Sequence, residues 1–243
     1  MRRIPARCAA GGSRPSHLSG TTASGARVAA LFSRFANTAV RIGLILAGLV
    51  ALGIPVALMG WVRTPFVTGK ENPVQQPVLF DHRHHVVDDG IDCRYCHSTV
   101  DRSPTAGIPS TARCMGCHSQ IWNSSPLLAR VRNAYFSGEP IPWVRVHRLP
   151  EFVYFDHSIH VAKGIGCESC HGRVDQMAAV YQVAPLTMGW CLDCHRNPEP
   201  HLRPRSQVTA MGWRPPGGQE ALGRVLREEY GVQVRTYCTT CHR

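Results

Sequence analysis

Cys93-Arg94-Tyr95-Cys96-His97, Cys114-Met115-Gly116-Cys117-His118, Cys167-Glu168-Ser169-Cys170-His171, Cys191-Leu192-Asp193-Cys194-His195 and Cys238-Thr239-Thr240-Cys241-His242 place ten of the chain's 11 cysteines in five C-x-x-C-H runs. At this composition roughly 0.03 such runs would arise by chance, and the run is the attachment signature of c-type haem. The spacing follows from the chemistry. Two thiols add across the porphyrin vinyl groups, and the adjacent histidine turns beneath the ring to ligate iron. Zinc knuckles also use cysteine pairs, but they need no histidine directly after each pair. Disulfides explain the histidines no better. Five covalently bound haem c groups are therefore predicted, with His97, His118, His171, His195 and His242 as proximal iron ligands.

Outward from these runs the chain repeats itself. Phe80-Asp81-His82-Arg83-His84-His85-Val86 precedes the first run and Phe155-Asp156-His157-Ser158-Ile159-His160-Val161 the third. The histidines of the two stretches lie 75 residues apart, and the runs that follow recur at offsets of 74 and 77. Low-spin electron-transfer haem takes a second axial ligand, usually His or Met. The repeat assigns His82, His85, His157 and His160 as distal ligands. For the remaining haem the first choice is His147, in Trp143-Val144-Arg145-Val146-His147, with Met188, just ahead of the fourth run, as its competitor. His84 breaks the repeat spacing and reads as a hydrogen-bond partner, and His201 as a surface residue. Regions 77–145 and 146–200 are expected to be dihaem modules, followed by a segment 201–243 that carries the fifth haem.

Composition agrees with a porphyrin-filled interior. Gly (22) and Pro (18) are plentiful and aromatics make up only 7%, so few long periodic segments remain to build a side-chain core. Two helices stand out. One runs over 126–135, opened by Ser125-Pro126 and stopped near Gly138. The other covers 219–230, with Leu222, Val225, Leu226 and Tyr230 on one face and Gly231 after it.

The formal net charge of +11 is unevenly distributed. Residues 1–62 hold seven arginines and no acidic residue, and the rest holds 20 basic against 16 acidic side chains. Most of the excess flanks the uncharged 42–62 run, IGLILAGLVALGIPVALMGWV, which is long enough to cross a bilayer as a helix. By the positive-inside rule the N-terminus stays in the cytoplasm and the haem domain is exported to the periplasm. A cleaved signal peptide fits less well, because the run is longer than such segments and no A-x-A-like site follows. Trp61 is placed at the outer interface, and Pro55 kinks the helix or is tolerated within it. Small residues at four-residue spacing (Ala47 and Ala51, Gly53 and Ala57) could admit a neighbouring helix. Residues 1–41 read as a basic, disordered cytoplasmic tail in which Cys8 is an incidental thiol and His17 is remote from any haem. Arg2-Arg3 lacks the context of a twin-arginine signal. Residues 63–76 are a linker. No basic, aromatic-interleaved patch points to nucleic acid.

The F-x-H-x-x-H stretches resemble those of class III multihaem cytochromes, in which the first histidine ligates the nearest haem and the second a different one. Over QPVLFDHRHHV, GIDCRYCHSTV, AGIPSTARCMGCHSQIW, LPEFVYFDHSIHV, GWCLDCHRNPEPHLRP and CTTCHR, the chain is similar to the pentahaem cytochrome c subunit of bacterial alternative complex III. That resemblance covers 32–243; residues 1–31 fall outside it, as a start further downstream would produce. It implies a haem-cored multihaem cytochrome c fold: mostly coil with short α-helices, duplicated class III-like modules and one N-terminal transmembrane helix. It also implies partners: an iron–sulfur subunit, polytopic quinol-binding subunits, and a monohaem cytochrome c or terminal oxidase as acceptor. A stand-alone anchored quinol dehydrogenase that feeds a periplasmic reductase is the alternative. A multihaem reductase would need an open distal position, and the supply of His and Met here is enough to close all five.

Overall fold

The computed structural model describes residues 32–242. Expectations for 1–31, including those for Arg2, Arg3, Cys8 and His17, lie outside the described residues. The chain divides into two compact units, Met1–Gly53 and Ile54–Arg243.

A single helix, Ala36–Trp61, holds the apolar run and is long and apolar enough to cross a membrane. At 1.5 Å per residue its 26 residues extend about 39 Å. It begins six residues before the predicted segment, because Ala36–Val40 continue the helix and bring Arg41 inside it. Residues 36–41 are thus helical and not part of a tail. At the other end, Arg63 Nη1 donates to the Met59 carbonyl (2.7 Å) and Thr64 Oγ1 to that of Trp61 (2.7 Å). These bonds satisfy carbonyls that the helix leaves without partners.

From residue 54 onward the described residues contain short helices, turns and three isolated bridges (Lys70 with Gln182, Val153 with His242, Ile165 with Leu202), and no β-strand. The buried apolar residues form only small clusters. In one, Met115 of the helix Thr111–His118 meets Val131 and Ala134 of the helix Ala129–Ser137, with Val78 and Ile141 alongside. The second of these helices is entered through a 3₁₀ turn, Pro126–Leu128, and stops at Gly138 with φ of 76°. Ser125 Oγ accepts from the Leu127 amide at 3.3 Å, so the predicted start is correct and the helix runs two residues past the predicted 135. Ser125→Ala should lower stability by about 1 kcal/mol, the usual cost of a lost N-cap, measured by urea unfolding of the haem-loaded chain.

The helix Gln219–Glu229 packs on the 3₁₀ turn Glu199–His201 and forms the second cluster, Leu202, Leu226 and Tyr230. Its buried line is Leu222, Gly223, Leu226 and Tyr230; Val225, expected on this face, is 60% exposed. The reason is Gly223. A Cβ there would collide with the Glu199 carbonyl, so the turn presses onto the glycine and the buried stripe rotates away from Val225.

Candidate functional site

Each C-x-x-C-H run lies on a helical turn. The turns are Cys93–Cys96, Thr111–His118, Glu168–His171, Met188–Arg196 and the 3₁₀ turn Cys238–Thr240. Residues i and i+3 share a helix face, so the two thiols point the same way. In the first, third and fifth runs the histidine at i+4 donates its backbone N–H to the first cysteine's carbonyl: His97 to Cys93 (2.9 Å), His171 to Cys167 (3.0 Å) and His242 to Cys238 (2.9 Å); the second and fourth runs lie wholly inside α-helices. Asp92 Oδ1 caps the first turn through the Arg94 amide (2.8 Å), and Thr187 Oγ1 caps the fourth through that of Trp190 (3.4 Å).

The two F-D-H-x-x-H stretches take the same local geometry. Asp81 and Asp156 accept the amide two residues on (2.9 and 2.8 Å), Asp156 as the N-cap of the helix His157–Ala162. Phe80 meets His82 edge-on at 4.7 Å and stacks on His85 at 4.4 Å. Phe155 does likewise with His157 at 4.8 Å and His160 at 4.5 Å. A sequence pattern locates the histidines but does not assign these jobs to the aspartate and phenylalanine: one starts the turn and the other holds the second imidazole.

Three pairs of predicted ligands face one another at one distance. The ring centroids of His85 and His118 lie 6.2 Å apart, those of His160 and His195 6.1 Å, and those of His157 and His171 6.3 Å. A metal held between two imidazoles, with a metal–nitrogen bond of about 2 Å on each side, requires a centroid separation of about 6 Å. The second histidine of each stretch therefore faces the later run, and His157 faces the run nearest to it. His82 lies near His97; burial, then the charge of His97, would push its pKa down to about 4.

Tautomers fit the same purpose. Nδ1 of His97 donates to Gly107 O (2.7 Å), His118 to Ile121 O (3.1 Å), His195 to Arg235 O (2.9 Å) and His242 to Phe152 O (3.2 Å). On the distal side His85 donates to Asp81 O (3.0 Å), His157 to Pro104 O (2.8 Å) and His160 to Asp156 O (2.7 Å). A carbonyl can only accept, so Nδ1 keeps the proton and Nε2 presents its lone pair. At two rings, burial favours the neutral, ligating form: the pKa of His160 is lowered, and that of His171 falls to about 3, with His147 and His157 adding to the effect.

The structure fits c-type haem on other grounds as well. The ten thiols of the runs are free, and burial raises the pKa of Cys96, Cys114, Cys191 and Cys194, and that of Cys170 to about 12. Thiols held in pairs beside oriented imidazoles, accessible or half-buried, are the donor set that covalent attachment requires. His82 Nδ1 and His147 Nε2 are buried without a partner, as polar atoms beside a bound group would be. Among the described residues no three His, Cys, Asp or Glu side chains gather as a bare metal site would need.

The fifth distal position is the least defined. His147 packs against His171, centroids 4.3 Å apart at 73°, too close for an iron between them. The ring contact of His242 is with Phe152, at 5.8 Å. Met188 is the first residue of the helix Met188–Arg196 and 67% exposed. Among the outlying histidines, His84 Nδ1 bonds Asp88 Oδ2 (2.8 Å), the partner role expected of it. His201, expected at the surface, is half-buried in a cleft with Glu168, Arg203, Trp213 and Arg214, where burial lowers its pKa. It is drawn in because the 3₁₀ turn that carries it lies beneath the helix Gln219–Glu229.

Sequence reading did not single out Glu168, Arg203 and Thr209. Glu168 Oε2 accepts from the Gly212 amide (2.6 Å) and from Arg203 Nη2 (3.2 Å), joining the third run to the C-terminal segment. Burial opposes its ionisation, but these donors hold its pKa below the usual value. Thr209 Oγ1 donates to Asp92 Oδ2 at 2.6 Å. An arginine set between Pro200 and Pro204 was the one available hint.

Comparison with known proteins agrees with this geometry. The multihaem cytochrome c subunit of menaquinone reductase from Nitratidesulfovibrio vulgaris (strain Hildenborough) is 38% identical over 122 residues, 49% of this chain and 56% of that one. The chain thus spans a little over half of that relative's length. Residues 153–243 match the family described as cytochrome c7 and related cytochrome c, and three of the five runs fall in that segment. From Val153 onward, the chain is similar to multihaem cytochromes of the cytochrome c7 kind.

Proposed function

We propose that this chain is the membrane-anchored pentahaem electron-transfer subunit of a quinol-linked respiratory complex of the alternative complex III kind. One observation carries the reading. Imidazoles face each other at 6.1–6.3 Å with Nδ1 tied to backbone carbonyls, on turns that each present two thiols, in a chain that also holds an apolar helix long enough to span a bilayer. Haem c supplies reversible one-electron chemistry when bound. The ten cysteines would anchor five such groups, and His97, His118, His171, His195 and His242 would ligate from one side. His82, His85, His157 and His160 close four opposite positions. For the fifth, the placement of His147 against His171 favours Met188. A His/Met signature in near-infrared magnetic dichroism, lost in Met188→Ala, is the expected result.

In this reading the haem domain lies on the periplasmic side of the bacterial cytoplasmic membrane. The partners are an iron–sulfur subunit and polytopic quinol-binding subunits, with a monohaem cytochrome c or terminal oxidase as acceptor. The name of the Nitratidesulfovibrio relative supports a second direction, quinone reduction, for a subunit of this type. Purification from detergent-solubilised membranes, subunit identification and assays of quinol-dependent cytochrome reduction and of the reverse reaction test both. Isolation of this chain without iron–sulfur or polytopic partners would overturn the complex. Quinol oxidation by the chain alone would favour the stand-alone dehydrogenase.

A further inference from the structure

We infer that the five haem sites form an unbranched line in the order second, first, third, fourth, fifth, so that the runs at Cys114–His118 and Cys238–His242 are its two ends. The inference rests on haem occupying all five runs.

The first and second sites adjoin because His82 and His85, three residues apart, serve one each. Arg113, beside the second run, also lies over the ring of Tyr95 in the first, at 4.6 Å. The third and fourth are tied in the same way by His157 and His160, which face His171 and His195.

The first and third sites meet on two consecutive residues of the C-terminal segment. Val208 O accepts from the Cys167 amide (3.0 Å), and Thr209 O lies 4.0 Å from Cys93 Sγ. His157 adds a second tie, since both its amide (3.2 Å) and its Nδ1 donate to Pro104 O, in the loop between the first two runs. The halves of the chain thus join through the first site of each.

The fourth and fifth sites are joined at Arg235, whose carbonyl holds His195 Nδ1 three residues before Cys238. Among the described residues, the second run adjoins only the first site, while the fifth adjoins the fourth and, through Phe152, Val153 and Tyr154, the segment that leads into the distal stretch of the third and fourth. Any electron donor and acceptor of the chain would accordingly dock near Cys114–His118 and Cys238–His242.

The test uses the full haem-loaded chain in detergent and EPR-monitored potentiometric titration. Methionine ligation raises a haem's potential. A site reduced earlier lowers the midpoint of its immediate neighbours, and this interaction falls with distance. His85→Met should raise one midpoint and lower one other; His160→Met should raise one and lower that of the third site. Displacement of two or more other midpoints by His85→Met would overturn the line. Should either variant fail to mature, the iron positions in an electron cryomicroscopy map of the unaltered chain decide. The second and fifth irons should be the most distant pair, and an iron with three near neighbours would refute the order. A pyridine haemochrome count below five would instead refute the haem assignment on which the order rests.

Discussion

His160→Ala is expected to leave haem content at five while converting about one fifth of the haem iron from low-spin to high-spin. His160 faces His195 at 6.1 Å, and its Nδ1 is held by Asp156 O at 2.7 Å, so the lone pair of Nε2 is committed to the position opposite His195. Phe155 stacks on the ring at 4.5 Å and fixes its plane. No other described histidine is in ring contact with His195, so nothing nearby replaces the lost ligand. Covalent attachment through Cys191 and Cys194 does not depend on His160, and haem should therefore stay bound. Electronic absorption and EPR report the spin change, and added imidazole should reverse it. A fall to four haems, or a spectrum that stays low-spin, would show that His160 supports the fold without ligating.

Arg203→Ala should cost about 3 kcal/mol, the range found when one partner of a buried ion pair is removed. The Arg203 and Glu168 side chains are only 8% and 13% exposed. Arg203 also donates from Nη1 to Ala210 O (2.8 Å) and lies 5.8 Å from the Trp213 ring. Its loss leaves the Glu168 carboxylate with the Gly212 amide as its main remaining donor, inside the third haem run. The surroundings are built tightly around the guanidinium: a Cβ on Gly166 would come within 2.6 Å of Arg203 Nε, and one on Gly164 within 2.5 Å of its carbonyl. Arg203→Lys should recover only part of the loss, because a single ammonium cannot span both acceptors. Urea unfolding followed by haem absorbance measures both variants. A loss below about 1 kcal/mol for the alanine would rank this pair with surface ion pairs.

Most of the site's local chemistry was legible because it is written over short spans. The thiol pair and its histidine fall within five residues, one helical turn. The Asp156 N-cap and its two histidines fall within another. The apolar helix shows itself by length alone. The reading failed where a neighbouring segment decided the outcome. Val225 fits a helical stripe on paper, but Gly223 lets the Glu199 carbonyl press in and turns that stripe away. His201 has no local mark of burial; it is covered because Gln219 reaches the Glu199 and Leu202 carbonyls at 2.9 and 2.8 Å and seats the helix above it.

By itself, then, the sequence determined how many C-x-x-C-H runs the chain has, which histidines flank them and where the apolar span lies. Only the tertiary structure decided which imidazole faces which, and how the two halves meet. Thr209 reaches Asp92 across 117 residues, and His157 reaches Pro104 across 53. The physical reason is the range of the signals. Helical spacing and capping act between residues a turn apart, so they leave a period in the chain. A carbonyl that accepts from a distant imidazole leaves none, because every residue carries the same carbonyl, and only folding selects which one is used.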